Sequence, residues 1–367
     1  MLRRWLLIAA VLVLFLISGL LLALALGSEL GLQAAGVAAL TALLPLGIVV
    51  PALLWLDRYE SEPIRYLGFA FGWGALVATT VSLVLNTGSL AVLQAVTAEG
   101  EAVAIVVVAP VVEESLKTLG VLLILWFRRN EFDGVIDGIV YAGLSAAGFA
   151  FAENILYFGQ AFLEGGGEGL VGVFVVRGIL GPFAHPVFTC AAGVAIGWGC
   201  RRRGVWAQTV VPLLGLIVAM LLHAGWNLSA VIGLDGFVAR YLALQVPVFV
   251  VGVGYALWAR RREGQLIGRH LAGYAGHGWL SGPEVVMLAS LPQRREARRW
   301  ALAHGGRPAL AAMRRFQDTA TELALLRERM QHGTARPDAR VAEREALQAM
   351  GDYRRAFLPG QPSPVRN

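Results

Sequence analysis

Five acidic or imidazole side chains stand where an apolar chain has little reason to keep them. "VVEESLKTLG" (111–120) holds Glu113, Glu114 and Lys117 inside an apolar run from Ala102 to Phe127. "GFAFAENILY" (148–157) closes a second run with Glu153 and Asn154, "GPFAHPVF" (181–188) adds His185, and "LLHAGWNLS" (221–229) adds His223 and Asn227. Lys117 is the only lysine in the chain; every other basic side chain outside the histidines is arginine. Carboxylates, imidazoles and an amide held away from water suit hydrolysis. A desolvated glutamate acts as general base on a water, and a histidine shares that water or protonates the leaving amine. Asn227 or the second histidine can hydrogen-bond the oxyanion that develops on a scissile carbonyl. The same groups are hard-to-borderline ligands. Glu113, Glu153, His185 and His223 are therefore candidates to hold Zn²⁺, which lowers the pKa of a bound water to about 7.

Spacing supports a shared site. Glu113 and Lys117 lie four residues apart, one turn up the same helix face, so the lysine can neutralise one carboxylate. Its ammonium is a compact point charge, where arginine carries a planar fork. Glu114 lies about 100° further round the helix. One acid can then face a reaction centre while the other braces a neighbouring helix. His223 and Asn227 are also four apart and share a face. A lone intramembrane His or Asn ordinarily serves as an interhelical hydrogen-bond partner, so the weight rests on the set. His-Glu-x-x-His, a Ser or Cys in a nucleophile context, a pair of transmembrane aspartates and a Gly-rich phosphate loop are all missing.

The elements that must position these residues are membrane helices. Of 367 residues 57% are hydrophobic and 15% charged, against about one quarter charged in soluble domains. The apolar residues collect in runs of about 20, the length that spans a bilayer as a helix. Eight are read, at about 5–26, 34–56, 66–86, 103–127, 137–159, 178–200, 206–228 and 237–259. Residues 169–200 are too long for one simple span and contain Arg177, Gly181 and Pro182, which predicts a broken or re-entrant helix there. The first run ends in "LALALG", an Ala-x-Ala, but is longer than a signal-peptide core, so it is expected to stay.

Arginines set the orientation. Arg3 and Arg4, Arg58 and Arg65, Arg128 and Arg129, Arg201 to Arg203 and Arg260 to Arg262 mark alternate loops, while 27–33, 87–102, 160–168 and 229–236 hold no Lys or Arg. The positive-inside rule then places both termini in the cytoplasm. Glu113, Glu153, His185 and His223 all fall in the outer half of the membrane, about 8–15 Å below the surface at roughly 1.5 Å per residue. Charged groups at such depth are functional-site candidates by default.

The expected fold class is all-α: a polytopic transmembrane helix bundle of about eight spans over 1–259, a helical cytoplasmic tail over 260–358 and a disordered end over 359–367. In the tail, Ser281-Gly-Pro-Glu284 reads as a helix start. Leu310, Met313, Phe316, Ala320, Leu323, Leu326 and Met330, then Leu347, Met350, Tyr353 and Phe357, recur at helical spacing and predict a hairpin. The sequence leaves Asp57 to Glu62 open between a solvated loop and a functional segment. Asp133 and Asp137 read as solvated or helix-capping, and Arg177 and Arg240 as snorkelling or paired. Cys190 and Cys200 indicate neither a disulfide framework nor a Cys-based metal site. A net charge of +6 follows from basic loops and tail and gives no reason to expect nucleic acid.

"EESLK" (Glu113–Lys117), "FAFAEN" (Phe149–Asn154), His185 and "HAGWN" (His223–Asn227), in that order on successive spans, resemble the PrsW family of membrane proteases. "DRYESEP" (Asp57–Pro63), before the third span, is also typical of it. The resemblance covers about residues 50–230 and places the chain in the wider superfamily of the CAAX prenyl endopeptidases. It implies Glu113 as the base, Glu114 as its bracing partner, Glu153 and His185 as water- or metal-orienting groups, and His223 with Asn227 as the oxyanion site, supported by Lys117 and Asn154. Glu153 departs from the superfamily, whose prenyl endopeptidases carry a His there. The resemblance further implies site-1-like cleavage of a single-pass protein, such as an anti-sigma factor, in a bacterial plasma membrane. A proton- or ion-coupled transporter using Glu113, Glu153 and His223 as a relay is the alternative; such carriers often show internal repeats, and none is found.

Overall fold

The computed structural model describes residues 2–129, 132–232 and 236–358; the predicted disordered end lies outside them. These residues are helical nearly throughout, with no strand among those described. Five stretches are long and apolar enough to cross a membrane: Trp5–Leu56, Ile64–Val96, Val135–Cys200, Trp206–Val231 and Phe237–Gly276. The protein is a polytopic helical membrane protein. The described residues divide into two compact units, one drawn from 2–56, 62–200 and 205–255, the other from 57–61, 201–204 and 256–358.

In the first unit α1 (Leu2–Leu56) runs through two expected spans, and the turn between them shrinks to one residue. Gly31 alone leaves the helix, at φ 68°, a left-handed conformation that costs glycine little. α2 (Ile64–Val96) follows, with a π-helical stretch at Trp73–Ala78. α3 (100–127) begins with a π-helical stretch, Ala104–Val108, and carries the Glu-Glu pair. α4 (Val135–Phe174) kinks at Gly166, φ 58°, and continues as the π-helical Val175–Leu180. Asp137 caps its start, accepting from the Gly134 amide at 2.8 Å. Residues 181–183 are not helical, and α5 (Ala184–Cys200) starts only after them. The sixth expected span is thus broken where Gly181 and Pro182 predicted a break, and its intact part begins six residues later than the expected 178. α6 (Trp206–Val231) and α7 (Phe237–Gly276) complete the series.

α4 is the axis of this unit. Residues 136–149 of it are buried without interruption, packed against α1, α2, α3 and α5. Its approach to α5 is backbone on backbone. A Cβ on Gly138 would lie 2.0 Å from the Gly193 carbonyl oxygen, and one on Gly193 2.2 Å from that of Gly138. Small residues let membrane helices approach this closely. Gly193→Val is therefore expected to destabilise the protein by about 1–3 kcal/mol, read as a lower unfolding midpoint in detergent. Gly47→Ala, where a Cβ meets nothing within 4 Å, serves as the neutral comparison. Equal midpoints for the two variants would contradict the packing.

The second unit contains the end of α7 with α8 (Gly282–Leu288), α9 (Leu291–Gln331) and α10 (Ala339–Phe357). α8 opens with a capping box: the Ser281 hydroxyl accepts from the Glu284 amide at 3.3 Å, and Glu284 accepts from the Ser281 amide at 2.7 Å. The predicted stripe of Met313, Phe316, Ala320, Leu323, Leu347, Met350 and Phe357 lies in one core. Tyr59 enters that same core from the Asp57–Ser61 loop, and its hydroxyl donates to the Ala289 carbonyl at 2.9 Å. Arg294, 1% exposed, donates to the carbonyls of Leu288 at 2.7 Å and Tyr59 at 3.0 Å and to the Thr321 hydroxyl. Burial pulls its guanidinium down to about 10, far enough above neutrality that the charge stays and must be met by those acceptors. Asp57, Tyr59 and Glu62 are all buried, so this segment is not a solvated loop.

Candidate active site

α3 presents its charged turn to α4, α5 and α6, and its register is fixed by side chains that grip its backbone. The Trp73 indole donates to the Leu116 carbonyl at 2.9 Å, and the Ser145 hydroxyl to that of Lys117 at 3.1 Å. Glu113, Glu114, Lys117, His185 and His223 are then buried together, and half-buried Glu153 joins them through His185. Lys117 Nζ donates to Glu114 Oε1 at 2.8 Å and to His185 Nδ1 at 3.0 Å, lies 3.5 Å from Glu113 Oε2 and sits 4.1 Å from the Phe149 ring centre. The closer carboxylate is the one three residues away.

The two acids have different work. Glu114 is fully engaged. Oε1 meets Lys117 and, at 2.9 Å, His223 Nδ1, while Oε2 accepts from the Thr189 hydroxyl at 2.7 Å. It ties α3 to both α5 and α6. Glu113 Oε1 accepts from the Asn86 amide at 3.2 Å, but its buried Oε2 has no hydrogen-bond partner. That atom faces His223 Nε2 at 3.8 Å. On the other flank His185 Nε2 meets Glu153 Oε2 at 2.9 Å, and Arg177 grips both Glu153 and Asn154, the latter at 2.8 Å.

The network sets the tautomers. His223 gives its Nδ1 proton to Glu114 and turns the Nε2 lone pair toward Glu113. His185 gives its Nε2 proton to Glu153 and accepts from Lys117. Two acceptors, Glu113 Oε2 and His223 Nε2, thus oppose one another with no donor of their own. Two cations, Lys117 and Arg177, face the three acidic side chains Glu113, Glu114 and Glu153. A water with two protons, or a cation, satisfies the opposed pair.

Glu113, His185 and His223 offer ligand atoms within 4.8 Å of one another. The open Glu113 Oε2 and His223 Nε2 suit Zn²⁺, and Glu114 behind His223 is the carboxylate–histidine arrangement that commonly supports a metal ligand. The third donor, His185 Nδ1, is held by Lys117. The donor set fits.

Among residues expected from the sequence, Asn154 supports Arg177. Asn227 stands apart: its amide donates to the Ile105 carbonyl of α3 at 2.8 Å. Sequence reasoning missed Asn86 and Thr189. Thr189 lies one turn beyond His185, a spacing that could have found it; Asn86 stands near the outer end of its expected span.

A polytopic helical membrane protein with a buried carboxylate–histidine cluster on consecutive helices is the class these features define. Residues 62–253 match the family described as PrsW family intramembrane metalloprotease. The chain belongs to that family. It is similar to Protease PrsW of Geobacillus kaustophilus, 29% identical over 172 residues, covering 45% of this chain and 71% of the relative. It is also similar to Protease PrsW of Clostridioides difficile, 30% identical over 182 residues (45% and 73%), and of Bacillus subtilis, 27% over 188 (49% and 77%). No solved structure matches.

Proposed function

We propose that the protein is an intramembrane peptidase that cleaves a membrane-protein substrate near the extracytoplasmic face, with Glu113 as general base. The observation that carries this is the buried Glu113 Oε2, which has no hydrogen bond and faces His223 Nε2 at 3.8 Å. A water placed there donates one proton to each acceptor, which points its oxygen lone pairs at a carbonyl. Glu113 takes the proton as the carbon–oxygen bond forms, and passes it to the leaving amine as the peptide bond breaks. Lys117 faces the negative charge that develops, in a low-dielectric site where such a charge counts most. Glu114 and Thr189 hold His223 and α5 in place. Asn227, to which the family resemblance gives an oxyanion role, joins that site only on leaving the Ile105 carbonyl.

Glu113, His223 and His185 would hold a zinc ion. A bound zinc supplies Lewis-acid activation of the water at neutral pH.

Both termini are assigned to the cytoplasm from the arginine alternation, which puts the cluster in the outer half of a bacterial plasma membrane. That depth suits first cleavage of a single-pass protein such as an anti-sigma factor. The carrier alternative loses ground because the chain belongs to a protease family. The test compares newly exposed N-termini of membrane proteins in cells with wild type or Glu113→Gln at matched abundance. Termini present only with wild type, at the outer edge of single-pass helices, are expected. Identical sets under envelope stress, with Glu113-dependent flux in proteoliposomes, would replace the peptidase by a carrier.

A further inference from the structure

A cavity of about 430 Å³ opens beside the cluster, within the first unit. Its size lies in the range of ligand-binding clefts, roughly 300–1,000 Å³. Pro45, Phe174, Phe183, Phe188, Trp226 and Phe249 contribute apolar walls. Two observations tie it to the site. Ala184 and Val187, which line it, flank His185 on the first turn of α5. Phe188 also lines it, and the same ring stacks on His223 with centroids 5.5 Å apart.

The wall is not a finished packing surface. It includes the non-helical residues 181–183, and irregular backbone at membrane depth is tolerated where it is buried in protein or lines a cavity. It also includes Gln245, 8% exposed, whose Nε2 is buried without a hydrogen-bond partner. Gln245 ends the π-helical stretch Tyr241–Gln245 of α7. An amide donor left unsatisfied in an apolar wall costs about 1–3 kcal/mol, and a bound acceptor removes that cost. Leu44 and Ile48 of α1, 59% and 57% exposed, also line it, so the cavity reaches the apolar outer surface of the helices.

We infer that this cavity is the specificity subsite of the protease: it takes an apolar side chain next to the scissile bond, while Gln245 donates to a main-chain carbonyl of the same peptide. The inference rests on the peptidase reading. Among the described residues no charged side chain lines the cavity, which rejects charged residues and favours large aliphatic or aromatic ones. An acyl chain would fill the volume but offers nothing to Gln245. A membrane peptide, unwound locally for cleavage, offers both an apolar side chain and a free carbonyl. Entry from the bilayer through the α1 and α7 border brings it past Phe188 to Glu113 and His223.

The experiment places photoreactive benzoyl-phenylalanine at Val248, which lines the cavity, in the full chain carrying Glu113→Gln, in native membranes. The same probe at Val251, 70% exposed, gives the lipid background. Adducts at Val248 with the membrane segment whose N-terminus depends on Glu113, within a few residues of the cut, are expected. Val187→Trp, which fills the cavity, should abolish them. Gln245→Leu should raise KM on that substrate roughly three- to tenfold, the loss of one hydrogen bond, with kcat kept. Adducts at Val248 with lipid alone, or unchanged KM for both variants, overturn the subsite. If no terminus depends on Glu113 the peptidase reading fails by itself. Protein adducts at Val248 that Val187→Trp removes would then retain the cavity as a peptide site, and lipid adducts would dismiss it.

Discussion

Lys117→Met should destabilise the protein by about 3–5 kcal/mol, the usual cost of leaving a buried charge unpaired. Lys117 and Glu114 are both fully buried, 2.8 Å apart. Without the ammonium, Glu114 keeps only the Thr189 hydroxyl and His223 Nδ1 as donors, and Glu113 loses its nearest cation. A second variant isolates the cause. Lys117→Met with Glu114→Gln removes both charges, and replacing a buried pair by neutral groups is often close to neutral, so much of the lost stability should return. Lys117→Arg should not rescue, because the Phe149 ring 4.1 Å from Nζ leaves little room for a planar fork. Chemical unfolding in detergent micelles reads all three. A Lys117→Met midpoint equal to wild type would show that the pair is not desolvated.

Glu113→Gln is expected to lower kcat by about 10²–10⁴, the contribution of a positioned general base, while the unfolding midpoint stays within about 0.5 kcal/mol. The reason for the split is bonding. Glutamine keeps an oxygen for the Asn86 amide, and Oε2 had no hydrogen bond to lose. Glu114→Gln should do the opposite: it strips the carboxylate from Lys117, His223 and Thr189 together and shows first as a lower midpoint. Single-turnover cleavage of the substrate found by terminus profiling, beside unfolding curves for each variant, separates the two. Loss of chemistry with full stability in Glu114→Gln, and the reverse in Glu113→Gln, would exchange their roles.

Much of this was legible in the chain because a charge in an apolar run is conspicuous. Glu113, Glu114, Lys117, Glu153, His185 and His223 stood out as a set, since a lone polar residue in a span has an ordinary packing role and a group of them does not. The break before His185 was legible for the same kind of reason, as Gly181 and Pro182 interrupt an overlong run. What stayed hidden depends on contacts between distant helices. Thr189 and Asn86 are ordinary polar residues until Glu114 and Glu113 come within reach. Asn227 shares a face with His223, yet rotation along α6 sends its amide to Ile105; helical spacing gives a face, not a partner. The tightness of the turn at Gly31 was concealed because the residues around it look like a longer loop to a hydropathy scale. Tyr59 gave no sign of its destination, since nothing local links it to residues more than 200 positions on.

That last contact bears on how the protein is made. Tyr59 lies 230 residues before the carbonyl it bonds, Ala289, and 262 before Thr321, whose hydroxyl reaches the Tyr59 carbonyl at 3.3 Å. Synthesis proceeds at about 5–20 residues per second, so the loop between α1 and α2 waits on the order of ten seconds or more for its partners to emerge. Its buried tyrosine is an obligatory late closure. A chain stopped between the end of α6 and the start of α9 carries the membrane helices bearing all six polar residues of the cluster, while the loop at Tyr59 still lacks Arg294 and Thr321. The packing around Tyr59 thus closes only after every residue of the polar cluster has been made.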